Sequence, residues 1–326
     1  MTVSDRRVRR ATTALAGLTA AALALTACGS GEGGPGGSDG KLKVVASTSV
    51  WASVAQAVGG DKVEVEALIS DPAADPHSYE STPRDAAKVT DADLVVLNGG
   101  GYDEFAEQIL AGKPKPTVEA VAGEHPEPAP AEEHGHEHPE PAPAEEHGHD
   151  HSVNEHVWYD LHAVHETADR IADELGKLQP ANAQAFKDSA ARFSGEVGGL
   201  ETRVQQLAAK QQGKKVIVTE PVAHYLVEAA KLEDITPPEF VKAIESESDP
   251  SAAAVAEIQN AVGTRQAAAV LYNPQTESPV TESVRRAAEQ NQTPVVEMTE
   301  LLPAGKTYVQ WMDAQITALD AALNRN

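Results

Sequence analysis

The chain has 326 residues, with 50 Asp and Glu against 26 Lys and Arg and a formal net charge of −24. That length accommodates one large or two medium domains. So acidic a surface does not suit nucleic acid, which rewards clustered Lys and Arg, but it is compatible with a cationic ligand.

The chain opens on Arg6, Arg7, Arg9 and Arg10, followed by a charge-free apolar run over 14–27. This run is shorter than the roughly 20 residues that span a bilayer, and it fits the apolar segment of an export signal. It ends in Leu25-Thr26-Ala27-Cys28-Gly29, which resembles a bacterial lipoprotein signal cut directly before the cysteine. Cys28 is the only cysteine, so no intramolecular disulfide is available, and acylation accounts for its presence in an exported chain. Residues 1–27 are therefore expected to leave as a signal peptide. The remainder is expected at the outer face of the cell membrane, anchored through lipidated Cys28 by more than one acyl chain, since one chain binds only marginally. Glycine-rich 28–40 reads as a flexible tether.

From Lys41 the pattern is α/β. Strands are predicted at 42–46, 63–69 and 94–97, and helices at 50–58, from Pro83, and over 103–110. Proline at a first helical turn loses no backbone donor. Then 124–151 interrupts the pattern with a direct repeat, 124–136 copied at 137–149. It carries His125, His134, His136, His138, His147 and His149, with His151 next. Proline, glutamate and histidine without Leu or Val cannot build a core, so disorder is expected there in the metal-free state.

Helices are predicted over 163–178 and, after Pro180, over 181–212, where Phe186, Phe193, Val197, Leu200, Val204 and Leu207 form one apolar stripe. A second strand–helix series follows: strands at 216–218, 267–272 and 295–296, and helices at 221–230, 251–262, 280–291 and 307–323. The expected architecture is two α/β lobes with mostly parallel sheets, 41–160 and 214–326, joined through 161–213 by one long helix. A cleft between two lobes is a preferred place for a small ligand.

Three stretches stand where open α/β sheets bind ligands, at or after strand ends. They are Asp75-Pro76-His77-Ser78-Tyr79-Glu80 running into Thr82-Pro83, Asn154-Glu155-His156-Val157-Trp158, and Thr219-Glu220-Pro221-Val222-Ala223-His224. In this order, with the histidine-rich insert and the lipoprotein signal, they resemble the metal-binding receptors of bacterial zinc and manganese ABC importers. The resemblance runs from Leu42 to the last helix. It implies two lobes bridged by a stiff helix, metal in the interlobe cleft, His77 and His156 as first-lobe ligands, and a membrane permease as partner. It also implies a monomeric receptor and not an enzyme.

The second-lobe ligand is left open between Glu220, expected at a helix N-cap with Pro221 behind it, and His224, four residues on and on the same face. Glu277 is the nearest carboxylate after the strand near Tyr272, where the manganese branch supplies an aspartate; its position slips by a residue, and a solvated loop glutamate is the equal alternative. Asp160 is a candidate acceptor for a ligating imidazole. Trp51, Trp158 and Trp311 read as core, and His162 and His165 as groups without an assigned role.

Two imidazoles with one glutamate and a further histidine would make a tetrahedral Zn2+ site, whereas Mn2+ favours more carboxylate oxygen. Binding is expected to weaken near and below the ordinary histidine pKa of about 6.5. The insert histidines would collect metal weakly and raise its concentration beside the cleft. A zinc hydrolase is the competing class, but no His-Glu-x-x-His helix and no Gly-x-Ser-x-Gly elbow is present. A metal-buffering or adhesive surface lipoprotein is a further alternative.

Overall fold

The computed structural model describes residues 40–121, 154–246 and 248–325. Cys28, the tether as far as Asp39 and the insert histidines lie outside the described residues. The first lobe runs β1 (Leu42–Thr48), α1 (Ser49–Gly59), β2 (Val63–Ile69), α2 (Pro83–Asp91), β3 (Leu94–Leu97), α3 (Glu104–Gly112) and β4 (Thr117–Glu119). Two helices follow, α4 (Leu161–Leu178) and α5 (Ala183–Gln211). The second lobe runs β5 (Lys215–Val218), α6 (His224–Ala229), β6 (Glu233–Asp234), α7 (Pro238–Glu245), α8 (Ala252–Gly263), β7 (Ala269–Tyr272), α9 (Pro279–Gln290), β8 (Val295–Glu297) and α10 (Tyr308–Leu323).

Both sheets are parallel and share one topology, β2-β1-β3-β4 and β6-β5-β7-β8. Strand periodicity explains how each sheet is sandwiched. Val44 and Ala46 of β1, with Leu94 and Val96 of β3, face the main core; Val45, Val95 and Leu97 face a separate cluster with α2 and α3. In the second lobe Val216 and Val218 join the main core, while Ile217 faces an outer cluster with Phe240, Ile258 and Val284. The near-continuous apolar runs of the central strands are what double-sided coverage demands.

The main core does not stop at the lobe boundary. It runs from Val50 and Trp51 in α1 through Phe186, Phe193, Val197, Leu200, Val204 and Leu207 of α5 to Met312, Ile316 and Leu319 of α10. At 29 residues, α5 is about 44 Å long and packs on both lobes. Its stripe follows the predicted spacing, and all three tryptophans are buried as expected. Hydrogen bonds also stitch the lobes: Leu302 N donates to Ser49 Oγ (3.1 Å), Tyr308 N to Ser53 Oγ (2.9 Å) and Gln275 Nε2 to the Pro72 carbonyl (2.7 Å).

Three elements escaped the sequence reading. β4 and β6 have three and two residues, too short to show a period, and α7 buries Phe240 alone. The helix predicted over 221–230 is a 3-10 turn at Pro221–Ala223 running into the short α6. Among the described residues no helix is long and apolar enough to cross a membrane.

Candidate metal centre

The loop after β2 is shaped by its own side chains. His77 N donates to Asp75 Oδ1 (2.9 Å), turning the chain at Pro76. Tyr79 OH then donates to Asp85 Oδ2 (2.9 Å), the carboxylate that completes a capping box with Thr82 at the start of α2. The Asp-Pro-His-x-Tyr-Glu stretch thus folds back on the Thr82-Pro83 helix start, and the His77 ring lies between Glu155 (3.7 Å) and Glu300 (3.5 Å).

The second stretch enters from the other side of the insert. His156 is 4 % exposed, and its ring packs edge-on against Trp158 (centroids 5.2 Å) and Tyr102 (6.1 Å). The His77 and His156 rings lie 6.0 Å apart. One ligand atom each from His77, Glu155 and His156 falls within 4.8 Å of the others. His156 Nε2 is buried and has no hydrogen-bond partner among the described residues. A buried imidazole nitrogen with no hydrogen-bond partner, 4.0 Å from a buried carboxylate, is chemically suited to ligating a metal ion.

The second lobe supplies carboxylates. Glu300, three residues past β8, is fully buried; its Oε2 lies 3.5 Å from His77 Nε2 and 4.0 Å from His156 Nε2. Tyr102 OH donates to Glu300 Oε2 (2.7 Å) and Asn273 Nδ2 to its Oε1 (2.7 Å). The same Asn273 nitrogen reaches Glu220 Oε2 (2.8 Å), which bridges the two carboxylates. Glu220 stands at the N-cap with Pro221 behind it, as expected, and its side chain makes no cap bond, so it is free to face the cluster. Two ligands held about 2.0–2.2 Å from a tetrahedral ion sit roughly 3.3–3.6 Å apart, close to the imidazole–carboxylate spacings here.

The electrostatics follow from burying acids beside imidazoles. Burial works against the charged form of His77, but Glu300, Glu155 and Glu220 outweigh it and hold the ring up to about 9. Burial pushes His156 down to about 4, so that ring is neutral. Burial would raise Glu300, yet His77, His156 and Tyr102 draw it down to about 2. Glu220 is pushed up to about 7, chiefly by burial with the Glu300 charge adding to it, and Glu155 is also raised by burial. The cluster thus offers one neutral imidazole, one that must shed a proton, and up to three carboxylates (Glu155, Glu220, Glu300).

Other candidates fall elsewhere. His224 is exposed on α6, its ring against Tyr225 and its Nε2 4.0 Å from Glu228. One turn along a 3-10 segment does not hold the face that a continuous α-helix would have shared with Glu220. Glu277 accepts from Tyr272 OH (2.5 Å) and is not the carboxylate in the cluster. Where an aspartate was sought after β7 stands Asn273, and the acid comes from the loop after β8. Asp160 caps α4, accepting from the backbone of His162 and Ala163, so it orients no imidazole. His162 and His165 pair with Glu166 and Asp169 on the surface of α4. Glu300 and Glu155 were missed. The signal for Glu300 is a repeat of the Glu220 arrangement: Val218-Thr219-Glu220 leaves β5 as Met298-Thr299-Glu300 leaves β8.

The profile of the family described as ZnuA, zinc-uptake complex component A periplasmic, matches residues 44–322. The manganese-binding lipoprotein MntA of Bacillus subtilis (strain 168) is 28% identical over 210 residues, 63% of this chain and 62% of its own. The zinc-binding lipoprotein AdcA of Streptococcus pneumoniae serotype 4 is 24% identical over 305 residues, 91% of this chain and 58% of its own. The chain thus spans less than two thirds of the length of these curated relatives. The solved periplasmic zinc-binding protein TroA from Treponema pallidum has the same fold, with a TM-score of 0.68 at 19% identity over 87% of this chain and 99% of that one.

Proposed function

The chain belongs to the ZnuA family of zinc-uptake components, and from that premise we propose that it is an extracytoplasmic receptor that captures Zn2+ in its interlobe cleft and delivers it to an ABC import permease. One observation carries the proposal. Imidazoles from two distant stretches of the first lobe, His77 and His156, meet a buried carboxylate of the second lobe, Glu300, within 4.0 Å. The fourth ligand is Glu220, joined to Glu300 through Asn273, or Glu155, which clusters with both imidazoles. A bound ion would bridge the lobes and replace the repulsion among acids by coordination. No wide hinge closure accompanies loading, because α5 and the shared core already fix the lobes.

Cys28 anchors the receptor to the membrane through its lipids, in keeping with the lipoprotein relatives. The insert histidines, His125 to His151, act as a weak collector that raises local zinc. The receptor works as a monomer.

A manganese receptor is the second reading, and a specific observation favours it. With Glu300 in place of the expected further histidine, the ligand set is two imidazoles and two carboxylates, which is harder than a histidine-rich zinc site. One relative is named for zinc and another for manganese. Elemental analysis of the purified protein, followed by zinc and manganese competition on the wild type and His77→Ala, decides between them. Zinc is expected to win and His77→Ala to lose tight binding; equal affinity in the variant would remove this site from the function.

A further inference from the structure

Asn154 precedes the His156 motif, and both ends of its amide have partners whose roles are fixed. Its Oδ1 accepts from the backbone N of His156 (2.8 Å), and its Nδ2 donates to the carbonyl of Pro221 (3.0 Å). A backbone N–H can only donate and a carbonyl can only accept, so these two bonds orient the amide without ambiguity. The same Oδ1 lies 2.9 Å from His156 Nδ1. Facing an acceptor, that ring nitrogen must carry the hydrogen. A neutral imidazole has one hydrogen, so the bare lone pair is left on Nε2, the buried atom with no partner.

The donor end reaches the other lobe. Pro221 follows Glu220 directly, and Tyr225 OH, one turn on, donates to the Asn154 carbonyl (2.7 Å). We propose that Asn154 is a positioning residue of the metal centre: its amide oxygen fixes His156 as the Nδ1–H tautomer for Nε2 coordination, while its amide nitrogen ties this ligand loop to the one carrying Glu220. Asn154 has this role only if the cluster binds a divalent cation, as proposed above. Only an amide serves both ends, since aspartate lacks the donor and leucine, its near-isostere, lacks both groups.

The test uses the full chain with zinc as the probe. Affinity is measured by chelator competition for the wild type, Asn154→Ala and Asn154→Asp, and the ring nitrogens of His156 are observed by 15N NMR in the zinc-loaded proteins. Asn154→Ala is expected to weaken binding about 10–100-fold, the range for losing a partner that orients a ligating imidazole. Asn154→Asp keeps an oxygen opposite Nδ1 and is expected to bind more tightly than Asn154→Ala, though it loses the tie to Pro221. In the wild type, Nδ1 is expected to be protonated and Nε2 metal-bound. Coordination through Nδ1 overturns the proposal whether or not the variants fold. So does an Asn154→Ala affinity within twofold of wild type, or an Asn154→Asp no better than Asn154→Ala. Should the wild type and His77→Ala bind zinc alike, the receptor reading itself fails, which is a separate result.

Discussion

Glu220 and Glu300 accept from one and the same amide nitrogen of Asn273, at 2.8 and 2.7 Å. In the metal-free protein this single donor is shared between two acids that repel each other. Asn273→Ala removes it and leaves buried carboxylate oxygens unsatisfied, at a cost of about 1–3 kcal/mol to the metal-free fold. Saturating zinc supplies the missing positive charge, so the melting temperatures of variant and wild type should converge on loading. A deficit that is equal with and without zinc would show that Asn273 serves packing alone.

Glu300→Gln tests the acid that the sequence reading overlooked. It is nearly isosteric but uncharged, and zinc affinity should fall on the order of a hundredfold or more, beyond the roughly 10–100-fold cost of losing an outer partner. His77, held at about 9 largely by Glu300, should titrate nearer its ordinary value in the metal-free variant. His224→Ala and Glu277→Gln should bind within about twofold of wild type, since neither side chain stands in the cluster. Calorimetry ranks the three, and a reversed order would relocate the site.

Metal and protons compete here with a definite sign. His77 is protonated below about 9 and Glu220 below about 7 in the metal-free protein, and both must deprotonate to coordinate. Apparent affinity should therefore keep rising with pH up to about 9, above the range expected from an unperturbed imidazole. His156, at about 4, has no proton to lose near neutrality. Titrations at pH 8 in buffers of different ionisation enthalpy should count about one released proton. A count near zero would place His77 outside the first coordination sphere.

Gly195, Gly198 and Gly199 sit in the middle of α5, and a methyl group at any of them would touch nothing within 4 Å. Gly198→Ala should stabilise the fold by about 0.4–1 kcal/mol by restricting the unfolded chain. The measurement is a denaturant midpoint, with zinc affinity unchanged. A destabilised variant would mean that the helix bends at these glycines in solution.

Much of the architecture was legible because parallel strands buried on both faces announce themselves as apolar runs. The predicted bounds of β2 and β3 agree with the structure to the residue. The α5 stripe was equally plain, since core contacts recur along the helix with its own period. The centre was harder to read. His77 and His156 stand in distinctive local stretches, whereas Glu300 is one acid among many and matters only because the loop after β8 folds between the lobes. His224 was misplaced for a related reason: a separation of four predicts a shared face only where the backbone is α-helical, and a 3-10 turn breaks that rule.

The uninterrupted apolar interior that threads α1, α5 and α10 has a consequence for release. Neither half can melt or swing without exposing the other, so heat should unfold the body in one cooperative step. On the receptor reading proposed above, release would then come from side-chain-sized displacements of the loops carrying His77, His156 and Glu300, with the jaw staying shut.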